Sequence, residues 1–379
     1  MCKPMSESIG LSRRMALRLP DSSRGRETPT MKRISCLCCV LVLLALPVVG
    51  RGEEHRDRGV ISSTAFQAFM ERRYGDLEKQ AEGYRATQAR TSSGVWKLAI
   101  FDAGIDSAFT GRTQSLAIWE SRRRNVEAWI AAYPKDPSPR LAQARMMIQR
   151  AWTHCGCGGP EDAAPAERKA FLVAIQNARS YLESQKKIAA VDPRWYEYMA
   201  EIAGYQHWPR AEFDRMLDEG LTRHPQYYDL YFKAMAYYAP RSGGSAQAVE
   251  DFARAAVKRT RKTEGEGMYA RIYWYAAQVQ YRDELFRQSK VDWPTMKRGI
   301  HDVLARYPDA WNLNNFARFA CLAGDRAEAQ ALAARIGEIP DVDVWNRDRG
   351  EFLACRAGKP MPRALPGRVI PGRATRPHR

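Results

Sequence analysis

Prolines punctuate this chain at a fixed interval. Pro193 and Pro225 stand 32 residues apart, and so do Pro308 and Pro340. Each interval holds two amphipathic stretches around a short polar break. In the first, Trp195, Tyr196, Met199, Ile202 and Ala203 precede His207-Trp208-Pro209, and Phe213, Met216, Leu217 and Leu221 follow. Proline lacks a backbone N–H and forces its predecessor out of the helical region, so it closes one helical unit and allows the next to begin. No run alternates at period two for long enough to make a sheet. The expectation is an all-α fold, a hairpin array resembling an α-solenoid, with a helical domain over 61–355.

Apolar spacing fills in the elements. Phe66, Phe69, Met70, Tyr74, Leu77 and Tyr84 predict one helix over 61–90. Further helices are expected at about 113–132, 141–152 and 165–190, with a loop over 153–165. Tyr227, Tyr228, Leu230, Tyr231, Met235 and Ala236 open another hairpin, whose second helix takes Ser245 as its N-cap. Met268 to Arg287 reads as one helix with apolar residues on two faces, as the interior of an array requires.

Net charge is +17 over 379 residues, but the excess is terminal. The stretch 356–379 carries seven Lys/Arg and no acid, while roughly 52–355 carries about +4. A nucleic-acid binder needs its basic stripe on the folded part, so no nucleic-acid partner is expected. The Pro/Arg-rich end is predicted to be a disordered tail. Lys32 and Arg33 precede an apolar run from Ile34 to Val49, with Gly50 at a plausible cleavage point, so 31–50 reads as a signal peptide. The run is short of the ~20 residues a spanning helix needs, and membrane association is expected only if this peptide stays uncleaved. Residues 1–30 read as an extension from a misassigned start, and 51–60 as a charged linker. The expected location is therefore periplasmic or secreted.

Cleavage after Gly50 leaves Cys155, Cys157, Cys321 and Cys355, which allow three disulfide connectivities. Cys321 and Cys355 fall in successive C-terminal hairpins and are a candidate pair. Cys155-Gly156-Cys157 beside His154 lacks the second cluster of a structural zinc site and is read as a glycine-rich loop.

Five segments carry a resemblance to a known family: AWTHCGCGG (151–159), VDPRWYEYM (191–199), HPQYYDLYFKAMAYYAPRSGGSAQAVEDFARAA (224–256), GEGMYARIYW (265–274) and WNLNNFARFACLAGD (311–325). Over about 140–325 the chain resembles the bacterial domain of unknown function 4034. That resemblance implies an exported or membrane-associated helical protein with tetratricopeptide-like packing. It implies no activity, substrate or catalytic residue. The Pro308–Pro340 unit is itself similar to a tetratricopeptide hairpin, with Trp311 early, Gly324 at the turn, and Ala327 and Ala334 where the helices approach.

No G-x-S-x-G, H-E-x-x-H or Walker motif is present. Gly265-x-Gly267-x-x-Ala270 lacks the βαβ surroundings of a dinucleotide site. No residue is therefore assigned a catalytic, cofactor or metal role. Amides and cations on a concave helical face can grip an extended peptide, which makes Asn312, Asn314, Asn315 and Arg318 a candidate groove, with Tyr269, Tyr273 and Trp274 as its aromatic wall. The reading is a protein- or peptide-binding module of the cell envelope without a cofactor. Its alternative is an enzyme or carbohydrate-binding protein with a cleft of carboxylates or aromatics. Asp341, Asp343, Asp348 and Glu351 form a short acidic run, read as a solvated loop.

Overall fold

The computed structural model describes residues 53–110, 115–155 and 159–361. The expected extension (1–30), the signal peptide (31–50), the tail beyond 361 and the glycines of 156–158 lie outside the described residues. Within them, every regular element is helical. The α-helices are α1 (Glu53–Met70), α2 (Tyr74–Thr87), α3 (Lys97–Asp106), α4 (Leu116–Ala132), α5 (Pro137–Ala151), α6 (Pro165–Ala189), α7 (Arg194–Gln206) and α8 (Arg210–Arg223). They continue with α9 (Tyr228–Tyr238), α10 (Ala246–Glu264), α11 (Gly267–Ala276), α12 (Leu285–Gln288), α13 (Trp293–Arg306), α14 (Ala310–Leu322), α15 (Arg326–Ile336) and α16 (Arg349–Arg356).

Local chemistry sets many of the starts. Asp136, Ser245, Asp292, Asp309, Asp325 and Asp348 each accept a first-turn N–H at the head of α5, α10, α13, α14, α15 and α16. Each such cap is worth about 1 kcal/mol. Pro137 and Pro294 sit in the first turns of α5 and α13, where no N–H is needed.

From α5 to α11, consecutive helices pack together, and alternate ones touch as well: α5 on α7, α7 on α9, α9 on α11. This sets α5, α7, α9 and α11 in an inner row and α6, α8, α10 and α13 in an outer one. α14 extends the inner row, with Phe316 edge-on to Trp274 of α11 at 5.4 Å. α11 is the most enclosed helix, with Met268 to Tyr273 all buried. The N-terminal helices cover the inner row: α3 packs on α5, and α1 lies over α3. That approach is close enough to require glycine. A Cβ on Gly104 of α3 would run into the Ser62 backbone of α1.

Three expectations change. Residues 53–60 belong to α1, so the charged stretch is not a linker; its Glu54 is buried and bonded to Thr91 and Ser93. The single helix over 61–90 is two helices, broken where Arg72 takes φ +57°. The helix expected over 268–287 stops at Ala276 and opens into a π-helical turn, Ala277–Tyr281. There the Arg241 guanidinium reaches the Val279 carbonyl at 2.9 Å, and a side chain inserted at the ladder breaks a regular helix. α13 answers to no delimited expectation, and α16 only to the expected hairpin that carries Cys355.

One buried carboxyl makes the fold pH-sensitive. Glu78 of α2 accepts the Trp129 indole N–H at 2.6 Å, while its other oxygen has no donor. Burial, and the Asp136 carboxylate beside it, push its pKa up to about 8. The proton on Glu78 is held in the folded state and lost more readily in the unfolded one. This contribution is therefore full below the unfolded pKa, about 4.3, and disappears as pH rises through 8. Glu78→Gln keeps the shape and cannot ionise. Its melting temperature is expected to match wild type at pH 5 and to exceed it by several degrees at pH 8.5. Parallel melting curves across that range would refute the assignment.

Candidate functional site

An extended strip of the chain's own N-terminal region lies against the inner row. Residues 89–97 fold back on themselves, with Thr91 N–H on the Val95 carbonyl and Lys97 N–H on the Ala89 carbonyl, both at 2.8 Å. At the tip, the Ser93 carbonyl accepts from Asn312 Nδ2 at 3.1 Å and from Arg271 Nη2 at 3.2 Å. The Ser93 N–H donates to Glu54 at 2.9 Å. Arg90 donates to the Gln226 carbonyl at 2.9 Å and lies over the Tyr228 ring at 4.3 Å. Gly94 (φ +91°) turns the strip where any Cβ would strike Arg271 and Tyr307.

This corrects the candidate groove residue by residue. Asn312 does hold an extended backbone, but the backbone is the chain's own. Asn314 is buried; its Oδ1 accepts from the Asp341 N–H and the Trp345 indole, both at 2.9 Å. Asn315 donates to the Trp311 carbonyl of its own helix, and Arg318 to Asp283. Tyr269 and Tyr273 are fully buried toward α10, where both hydroxyls meet Glu250 Oε2. Each of these hydrogen bonds is made within the chain, and the atoms left without a hydrogen-bond partner, Asn312 Oδ1 and Arg318 Nε, are buried. Trp274 alone of the aromatic wall stays half-buried, against Trp311 at 6.3 Å. In the acidic run, Asp348 caps α16 and Asp341 bonds His55. Cys321 and Cys355 are joined in a disulfide, their Cα atoms 5.8 Å apart. Cys155 is buried at the end of the turn after α5.

A different set of side chains converges on the inner face. Glu197 and Glu201 of α7, Asp229 and Lys233 of α9, Arg145 of α5 and Arg58 of α1 are all half-buried there. Glu201 receives Arg145 Nη1 and Lys233 Nζ, each at 3.0 Å, and the Tyr205 hydroxyl at 2.7 Å. Arg145 also grips Asp106 of α3 through two bonds. Glu197 accepts the Tyr227 hydroxyl at 2.6 Å. Among the described residues, no side chain donates a hydrogen bond to Asp229.

Electrostatics divides these carboxyls. Burial alone would raise Glu201, but Arg145 and Lys233 hold it well below the usual range. Burial and the neighbouring Asp229 push Glu197 up to about 8. Burial lifts Asp229 to about 6, against the pull of Arg58 and Lys233. Near neutral pH, then, the ledge presents a protonated carboxyl beside ionised carboxylates and a lysine. Aromatic faces adjoin it: Phe232 of α9 stacks on Tyr275 of α11 at 5.2 Å, both half-buried. Such a surface can donate and accept hydrogen bonds while covering apolar area.

No protein family, curated protein or solved structure matches this chain.

The ledge left a trace in the sequence. α7 and α9 are otherwise rich in aromatics and alanine, yet carry charges at i, i+4, Glu197/Glu201 and Asp229/Lys233. Charges on one stripe of an apolar helix mark a face that meets polar groups. What the spacing does not reveal is that the two stripes face each other.

Proposed function

We propose that the protein is an exported helical-repeat module with tetratricopeptide-like hairpins, related to the domain of unknown function 4034, and that it binds a protein or peptide segment along the inner ledge. The observation that carries this reading is the half-buried ledge itself: Glu197, Asp229 and Lys233 beside the Phe232–Tyr275 stack. Ionisable groups held partly out of water at a concave helical face are the chemistry that repeat arrays use to fix an extended ligand. The alternation of inner and outer helices and the use of Asn312 and Arg271 on a backbone carbonyl support it. Among the described residues no helix is long and apolar enough to cross a membrane.

A second reading, a glycan-binding cleft, is favoured by the half-buried, neighbouring Trp274 and Trp311 rings, since flat aromatic faces stack on sugars. Screening peptide and glycan arrays with the mature protein separates the two. The expected result is a recurrent peptide motif whose affinity falls at least about ten-fold, roughly 1.4 kcal/mol, in Lys233→Met and in Tyr275→Ala, measured below the melting transition of each variant. Binding confined to glycans would replace the first reading with the second. Peptide binding indifferent to both substitutions would move the site off the ledge.

A further inference from the structure

The first described helix and the chain's last hairpin meet at one point. His55 of α1 and Asp341, in the loop after α15, stand 286 residues apart in sequence and 2.7 Å apart in space, Nε2 to Oδ2. The contact is built rather than incidental. The His55 ring is edge-on to Trp311 of α14 at 4.9 Å. Arg58, one turn along α1, lies 5.9 Å from the same indole. The loop carrying Asp341 is itself pinned, because its backbone N–H donates to Asn314 and Trp345 bonds the same amide oxygen. Glu54, beside His55, bonds Thr91 and Ser93 of the strip that crosses the inner row.

We propose that His55 and Asp341 form a proton-operated latch that holds α1 shut against the C-terminal hairpin at one end of the inner groove. This inference rests on the groove reading above for its functional sense, since Arg58 belongs both to the ledge and to the latch. The groups facing His55 favour its cationic form. Asp341 accepts its hydrogen bond and Asp343 adds negative charge from the same loop; Arg58 from α1 opposes them. Asp309, ahead of α14, is buried, feels the charges of Glu54 and Glu53, and adds no cation. The net effect raises the His55 pKa, the Asp341 bond outweighing burial.

The sign follows from linkage. A histidine whose pKa is raised in the closed state stabilises closure fully below the open-state pKa, about 6.5, and loses that stabilisation as pH rises through the closed-state value. The latch is therefore shut in mild acid and loosened in mild base. The opening constant changes at most ten-fold for each pKa unit separating the two states.

Hydrogen exchange on the ligand-free full chain tests this without any ligand, so its outcome is independent of whether the groove binds a peptide. Protection factors, corrected for intrinsic exchange, would be compared at pH 6.0 and 8.5. Segments 53–61 and 338–345 are expected to lose protection relative to α6 by about five-fold or more at pH 8.5. His55→Gln should show the low-protection state at both pH values. Asp341→Asn should return the His55 titration, followed by NMR, toward the ordinary imidazole value and flatten the pH response. Equal protection at the two pH values in wild type, or a pH response that persists in His55→Gln, would overturn the latch.

Discussion

Replacing Arg194 with alanine is expected to destabilise the fold by about 3–5 kcal/mol, the characteristic loss when one member of a buried ion pair is removed. Arg194 is 1% exposed and Asp192, its main partner, is 0% exposed. The guanidinium holds Asp192 through Nε and Nη2 at 2.8 and 2.7 Å, and reaches Asp102 of α3 at 3.1 Å. Burial would weaken both charges, but each keeps the other ionised: Asp192 stays below the usual carboxylate range and Arg194 well above its own. Alanine would leave Asp192 with Arg85, at 3.1 Å, as its remaining ion-pair partner and would leave Asp102 with the Tyr198 hydroxyl but no guanidinium bonded to it. Arg194→Lys should recover little, because an ammonium cannot make the two-pronged contact. Chemical denaturation measures the loss. An Arg194→Met/Asp192→Ala double variant should be more stable than the sum of its single changes, since it leaves no unpaired charge between them. Additive losses would mean that the pair contributes no coupling.

The second large effect is expected at the C-terminal end. Removing the Cys321–Cys355 disulfide, as Cys321→Ala/Cys355→Ala, should lower stability by about 3–4 kcal/mol, the chain-entropy value for a 34-residue separation. The bond ties α16 to α14. It also encloses α15 and the loop carrying Asp341. The same loss should follow from reductant added to wild type. A variant as stable as wild type would show that α16 is held by Phe352, Trp345 and their packing alone.

Much of the architecture was readable in the chain. The proline spacing and the apolar periodicity of 195–221 and 311–336 correspond to α7, α8, α14 and α15, because helix ends and buried stripes are local properties. Ser245 caps α10 through its hydroxyl as its position implied. Where periodicity misled, a long-range contact intervened. Arg241 reaches the Val279 carbonyl across the turn that ends α11, and nothing in the local spacing of 268–287 encodes that arrival.

The site was legible in chemistry but not in place. Amides and a cation gripping an extended backbone are present, yet the backbone that Asn312 holds belongs to Ser93, 219 residues earlier. Tyr269 and Tyr273 share a helix with Trp274 but point to the opposite side, and only the packing of α10 against α11 determines which side is interior.

From the sequence alone came the helical class, the helix pairs within 193–225 and 308–340 and many residues able to pack, since these follow from backbone sterics and apolar spacing within single segments. Tertiary structure decided that α1 and α3 cover the inner row, that Glu197 and Asp229 come to share one ledge, and that His55 meets Asp341. Each of these joins residues from separate helices, and whether a carboxyl stays charged depends on the burial and neighbouring charges that only the assembled fold supplies.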